Sequence, residues 1–545
     1  YQGTDQSGVY QDAATTFDGY GRIASRHTPG QDVGRGTTYS YNDDGTLASV
    51  RDARGAKAVY GYDDDRHLVT SVSYDLSGVI PNQNVRPAAE VTFAYDAAGN
   101  RTRMQDGVGV ATYAYDSLSR LGSESRQFAG LAGTYTLGYT YNLAGGLKSV
   151  ADSSDAGAWA GARVDYDYDA AGTVTGVRGT GFGTVTRFAS GIRRRAWGAV
   201  KAMDYGNGTQ ASRLYDARMR PTLHELKNVV VTPGQQPTTL GSESDYYADG
   251  RVSYARDLQN GNFDRAYRYD DAGRLKEAYS GREARGLPAL SDPDNPFRQS
   301  YTYDVWGNMG RTGRLWINGM SDTPAYTNNR RGDWDYDAEG NVTAGALGRT
   351  THAYDAAGRD VRYFEDDFTG TAIEQNTIEQ IYGGDGAAGR RVESRYTEEE
   401  TQTTTVVTTT YYLRSTALGG QVVAEVDSTG LKRRGMVYLG GTLLAEQRAD
   451  IAPGAVTWRH EDAGRGSYVE ADAGRQAVRR ELDPLGADVG TSDPYEVFGG
   501  SYGRVMADEP LYQQRGNPFD PAGGCGRDGV AVPCGYAMEE VNRGA

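Results

Sequence analysis

Aspartate, histidine and cysteine are the residue types in this chain that could do chemistry. The five histidines, His27, His67, His224, His352 and His460, are scattered and show no metal-ligand spacing. Cys525 and Cys534 stand close together near the C-terminus with no histidine beside them. They read as a loop tied at its base by a disulfide if the chain is exported, and as two free thiols otherwise. There is no Gly-x-Ser-x-Gly, no His-Glu-x-x-His, no phosphate loop and no dinucleotide fingerprint. Asp63-Asp64-Asp65 lacks the spacing of a calcium loop. What remains is carboxyl chemistry. Two aspartates held close enough to share a proton can act as acid and base. The late Asp-Pro doublets Asp483-Pro484, Asp493-Pro494 and Asp520-Pro521 are where such a pair would be sought. Asp-Pro is also ordinary turn chemistry, which is the competing reading.

The elements that would position these groups are written in one repeated phrase. Its clearest copy is Tyr95-Asp96-Ala97-Ala98-Gly99-Asn100. It returns with Gly at the same offset as Tyr168-Asp169-Gly172, Tyr269-Asp270-Gly273, Tyr303-Asp304-Gly307, Tyr336-Asp337-Gly340 and Tyr354-Asp355-Gly358. Self-similarity at roughly 20 to 35 residues signals a repeat architecture. A second aromatic often stands two residues before the Tyr, as in Tyr113/Tyr115, Tyr139/Tyr141 and Tyr301/Tyr303. Residues i and i+2 of a strand share a face, so each copy presents a pair of rings. Asp then opens a turn by accepting backbone N–H bonds, and Gly supplies positive φ where the turn closes through a bulge. Each phrase is therefore a β-hairpin with its turn written in.

Composition agrees. The 545 residues exceed one ordinary core, a limit that repeats escape because each unit packs on its neighbours. Seventy-four Gly, and 40 Tyr against 11 Phe, suit tight turns joined by strands whose rings are buried while their hydroxyls find partners. A net charge of −15 argues against a nucleic-acid surface. No run approaches the ~18 apolar residues of a membrane span. No long stretch has helical periodicity. The Thr- and Val-rich stretch 392–413 reads as one long hairpin turning near Glu398–Gln402. The loops at 228–245 and 285–298 are longer than hairpins need and are candidate contact surfaces.

The phrase resembles the YD-repeat, or Rhs-repeat, family over most of the chain. Toward the end, Trp458-Arg459-His460-Glu461-Asp462, Asp472-Ala473-Gly474 and Asp483-Pro484-Leu485-Gly486 resemble, in order, the core that closes an Rhs array. The resemblance implies an all-β fold, a spiral of antiparallel hairpins forming a hollow barrel-like shell. It implies three regions: repeat shell at 1–457, core plug at 458–490, and a tail at 491–545 leading to an effector. His460 in that core is expected to bond Asp462 or a Tyr. Relatives commonly cut themselves after a second Asp-Pro-x-Gly-Leu; Asp520-Pro521-Ala522-Gly523 fits, but Gly524 replaces Leu. Asp483 and Asp520 are the resulting self-cleavage candidates, with Asp493 next. The function implied is a container that encloses and delivers a variable C-terminal toxin in bacterial competition, with no cofactor and no turnover beyond self-cleavage. Its partners would be its own effector, a delivery apparatus or a cell-surface glycan or protein, and its location secreted or at the cell surface. The alternative is a teneurin-like or wall-associated scaffold for adhesion or carbohydrate binding.

Overall fold

The computed structural model describes residues 2–4, 10–152, 161–231, 236–288, 296–315, 318–345, 348–368, 372–399, 402–449, 455–462 and 467–486. Among them one four-residue α-helix, Gly281–Ala284, and 3-10 turns at Gly261–Phe263 and Thr416–Leu418 interrupt a structure built of strands and their connections.

Each phrase folds as its chemistry dictates. In the Asp96 copy, the Asp96 N–H donates to the Asn100 carbonyl (2.9 Å) and the Gly99 N–H to the Asp96 carbonyl (3.1 Å). The Asn100 N–H and side-chain amide donate to the two carboxylate oxygens of Asp96 (2.8 and 2.9 Å). That amide, with the backbone N–H groups, holds the Asp96 carboxyl below its ordinary pKa. Gly99 sits at φ 86°, where a Cβ would be strained. The turns at Asp169, Asp270, Asp304, Asp337 and Asp355 repeat these bonds, and Gly172, Gly273, Gly307, Gly340 and Gly358 all have positive φ.

The two rings of a pair have different tasks. The second ring reaches sideways. The Tyr95 hydroxyl donates to the Val69 carbonyl of the preceding hairpin (2.8 Å), and Tyr168 to Leu147 (2.7 Å). Tyr269 donates to Val252 (3.1 Å), Tyr303 to Leu275 (2.9 Å), Tyr382 to Asp360 (2.8 Å) and Tyr438 to Val422 (2.8 Å). The acceptor stands at the register shift that follows each turn. Leu147, for example, pairs with Tyr141 across a bulge, while the ladder to the next strand begins only at Ser149. A bulge leaves a carbonyl without a ladder partner, and the next tyrosine supplies the missing donor. Where Arg follows the positive-φ residue of the turn, Ser119 or Gly273, its guanidinium binds the turn aspartate and lies over the next ring: Arg120 on Asp116 and Tyr141 (4.9 Å), Arg274 on Asp270 and Tyr303 (4.5 Å).

Linked this way, the strands from Ala14–Phe17 to Asn318–Asp322 form one antiparallel ribbon of twenty-five, each paired with its sequence neighbour. Residue registers join every consecutive pair, but none joins the last strand to the first among the described residues. The structure is thus a wound ribbon, not a barrel sealed by a ladder. One circuit takes about 300 residues, because Arg330 bonds the Gly30 carbonyl and Asp32, and the Asp32 N–H donates to the Ala338 carbonyl (2.9 Å). At ~4.8 Å per strand the circuit is roughly 120 Å around. Eight strands are enough for side chains to fill a barrel; twenty-five leave a hollow.

A second sheet of thirteen strands, from Asp335–Tyr336 to Ala477–Arg480, then follows the first coil in the same direction. Glu339 accepts from Gln31 (2.9 Å) and the Ala53 N–H (2.6 Å), and the Gly384 N–H donates to Asp106 (2.8 Å). The Thr416 N–H donates to Glu124 (2.7 Å), the Trp458 indole to the Phe188 carbonyl (3.0 Å), and Gln299 to Asp483 (3.0 Å). Every partner pair advances along both segments, which is the signature of a spiral. First rings join in at two copies: the Tyr166 hydroxyl donates to the Tyr438 carbonyl (3.0 Å) and the Tyr139 hydroxyl bonds Ser415 Oγ (2.8 Å), while Tyr135, outside the pairs, donates to the Gly430 carbonyl (2.9 Å). Thirteen strands, roughly 60 Å, accompany twenty-two of the first coil, roughly 105 Å, so the second coil winds on a tighter circumference.

The coils meet in one orientation. Connections alternate between a Tyr-Asp turn rim and an opposite loop rim. Turns of the second coil seat on the loop rim of the first, which buries Ala338 and Ala356 at their tips. The turn rim of the first coil is open, with Tyr20, Leu118, Leu143 and Val305 exposed. The long hairpin expected at 392–413 is present as Ala388–Glu399 with Gln402–Ser415. The expected boundary at 457/458 falls inside the strand Ala455–Asp462, through which the second sheet continues unbroken. The lateral tyrosine bond has a measurable weight. Tyr168→Phe keeps the ring and orphans the Leu147 carbonyl, at about 1 kcal/mol. Amides of the strand Arg163–Tyr168 are expected to exchange hydrogen about five-fold faster, with amides of distant hairpins unchanged.

Candidate functional site

Of the expected site residues, His460, Asp462 and Asp483 fall at the end of the second coil, where it meets the first. Asp483-Pro484-Leu485-Gly486 is a turn, as the simpler reading of Asp-Pro holds. The Gly486 N–H donates to the Asp483 carbonyl (3.0 Å), the Leu485 N–H to Asp483 Oδ1 (2.9 Å), and Gly486 has φ 88°. The carboxylate itself is buried. Its Oδ2 accepts from Gln299 Nε2 (3.0 Å) and lies 3.5 Å from Arg311 Nη1. The Tyr301 hydroxyl donates to Gln299 Oε1, which orients the amide toward Asp483. Burial, then the charge of Asp483, pushes the Tyr301 hydroxyl pKa up. Two residues earlier, Glu481 is buried with Arg265 (2.5 Å) and also pairs with Arg479, which reaches Asp257.

This clamp can fix one carboxyl and the chain direction that leaves it, one half of an acid–base pair. Asp493 and Asp520, the candidates for the other half, lie outside the described residues, as do Cys525 and Cys534. Among the described residues no group of three or more His, Cys, Asp or Glu is placed to hold a metal, and no helix is long and apolar enough to cross a membrane.

His460 departs from expectation. It is 2% exposed, and neither ring nitrogen has a hydrogen-bond partner among the described residues. Its ring meets the edge of Tyr205 at 4.1 Å between centroids. Asp462, two residues on along the same face, accepts instead from Ser242 Oγ (2.6 Å), and its other oxygen is 3.7 Å from His224 Nδ1. The expected His460–Asp462 bond is absent because neighbours i and i+2 on a strand point in parallel, and the first coil presents a better donor to Asp462. Burial, with His224 nearby, lowers the His460 pKa to about 3. A neutral imidazole with no partner packs as a ring. His224 and Ser242 were not singled out in the sequence; only the offset between coils brings them to Asp462, and no local motif carries that offset.

Set against family models and curated proteins, the chain matches none. Its fold does match solved structures. The crystal structure of TcdB2-TccC3 aligns with TM-score 0.62 at 15% identity, over 91% of this chain and 28% of that one. TcdB2-TccC3 without its hypervariable C-terminal region aligns with TM-score 0.62 at 16% identity, over 90% and 26%. A mutant Tc holotoxin pore from Photorhabdus luminescens aligns with TM-score 0.60 at 16% identity, over 88% and 26%. The chain spans about a quarter of the length of these neighbours, and at such identities the likeness is one of fold: a wound shell of antiparallel hairpins.

The buried His460 predicts acid sensitivity of known sign. Its folded pKa lies below the unfolded value near 6.5, so the unfolded chain binds the extra proton and stability falls with pH between 6.5 and 3. From pH 7 to pH 5 that amounts to about 2 kcal/mol. His460→Phe is expected to flatten this part of the pH–stability curve, read as the urea midpoint at both pH values.

Proposed function

We propose that the chain is the wall of an Rhs- or YD-type container, which encloses a variable C-terminal effector and delivers it in competition between bacteria. The observation that carries this is the clamp at 479–486. Arg265, Gln299 and Arg311 of the first coil hold Glu481 and Asp483, so the polypeptide beyond Gly486 departs from a fixed point on a hollow, narrowing spiral. The fold match supports the reading, since it holds equally with TcdB2-TccC3 lacking its hypervariable C-terminal region. The chain is then the wall of the container. Its partners are that effector and a delivery apparatus, and its place of action is outside the producing cell or at its surface. Its own chemistry is confined to self-cleavage, with Asp483 as one carboxyl and Asp520 as the other.

A second reading, an adhesive or carbohydrate-binding scaffold, draws on the outer half of the long hairpin. Residues 402–408 are exposed throughout, including Val406 and Val407. The two readings separate when the chain is expressed with its natural C-terminal continuation and treated with protease. A container gives one native particle with a protected effector, two masses on denaturation, and one mass after Asp483→Ala or Asp520→Ala. A single uncut mass with the continuation freely digested contradicts the container and favours the scaffold.

A further inference from the structure

A polar cavity of about 360 Å3 lies where residues 82–86 cross the start of the second coil, remote from the Asp483 clamp. Its size falls in the small-molecule range, near the lower end. The crossing segment is pinned. The Arg86 N–H donates to the Tyr354 carbonyl (2.8 Å), Arg86 forms a parallel bridge with Asp355, and Gln83 Oε1 accepts from the Ala338 N–H (2.6 Å). On either side of Gln83, Asn82 and Asn84 both take positive φ, 70° and 40°. Asparagine is the non-glycine residue that takes this region most readily, so the crossing segment keeps two polar side chains in its turn where glycine would carry none.

The lining has a definite chemistry. Arg86 has no acidic partner among the described residues, Arg362, also in the lining, has only a loose pair with Glu379 at 3.7 Å, and the lining's His352 is held by Asp360 (2.6 Å). The one carboxylate in the lining, Asp337, is occupied by Asn341, by the N–H groups of its own turn and by Arg54. In a chain of net charge −15 this cavity therefore faces a ligand with surplus positive charge. The amides of Asn82 and Asn84 and the hydroxyls of Thr343 and Thr351 add neutral donors and acceptors, and Tyr336 adds a ring.

We propose that this cavity binds an acidic monosaccharide, with its carboxylate on Arg86 and Arg362 and its hydroxyls on the asparagine and threonine side chains. Guanidinium forks suit a planar carboxylate, and hydroxyl-rich ligands need the neutral groups beside them. The site is independent of the container reading, since it uses neither the clamp nor an effector.

The test is calorimetric titration of the full chain with glucuronate, glucose and inorganic phosphate. Saturable binding of glucuronate is expected, at least about ten-fold tighter than glucose or phosphate, the weight of one charge-assisted contact. Arg86→Ala should weaken it about ten-fold or more without changing the melting temperature, because Arg86 is exposed. Asn84→Ala should weaken it less. Equal binding of phosphate and glucuronate would reduce the site to an anion seat and overturn the saccharide assignment. Glucuronate binding unaltered in Arg86→Ala, or no saturable binding at about 10 mM, would overturn the site altogether.

Discussion

The structure depends on a hydrogen bond from a tyrosine hydroxyl to a backbone carbonyl one hairpin back. A lone two-stranded hairpin is marginal in water. Here the bulge that closes each turn leaves a carbonyl beyond the reach of the next ladder, and the tyrosine of the next phrase donates to it. The same ring is covered, in many copies, by the arginine that neutralises the preceding turn aspartate. Turn, bulge and lateral bond are thus one device. It explains why Tyr so outnumbers Phe: a phenyl ring would pack but leave the carbonyl orphaned.

From that device the larger shape follows. Hairpins tied in sequence order make a ribbon, and a twisted ribbon of this length returns to its start after about 300 residues, where Arg330 meets Gly30 and Asp32. The next coil has its turns where the first coil has its loops. Ala338 and Ala356 are buried by this seating, while Leu143 and Val305, at comparable turn tips of the first coil, are open to solvent. The shorter second coil narrows the spiral, and its buried terminus, with Glu481 on Arg265 and Asp483 on Gln299, is charged at a point where pairing must be complete. Removing one partner of such a buried pair costs far more than the pair contributes.

Much of this was legible in the residues. The Tyr-Asp-x-x-Gly spacing specified each turn down to the carboxylate's N–H partners, and ring pairs at i and i+2 placed two tyrosines on one face. The different tasks of those two rings were not legible, because they depend on the preceding hairpin and on a coil some 270 to 300 residues away. A separation of 220 residues to Ser242 likewise hid the partners of Asp462. Sequence suggested His460 beside it; the first coil supplied Ser242 and His224. The polar stretch from Pro81 to Pro87 read as an insertion, and its role in crossing to Tyr354 and Asp355 appears only once the coils are stacked. Local chemistry is written locally, and register between coils is a property of the whole winding.

The central claim is that the chain winds into a hollow two-coil spiral with coils in register. Electron cryo-microscopy of the chain in solution tests it most directly. The account predicts density for a complete first circuit around an open lumen, with the turn at Glu339 seated on Gln31 and Ala53 and a narrower coil following it to Asp483. An extended or branched ribbon, with residues 31 and 339 far apart and no enclosed space, would contradict it.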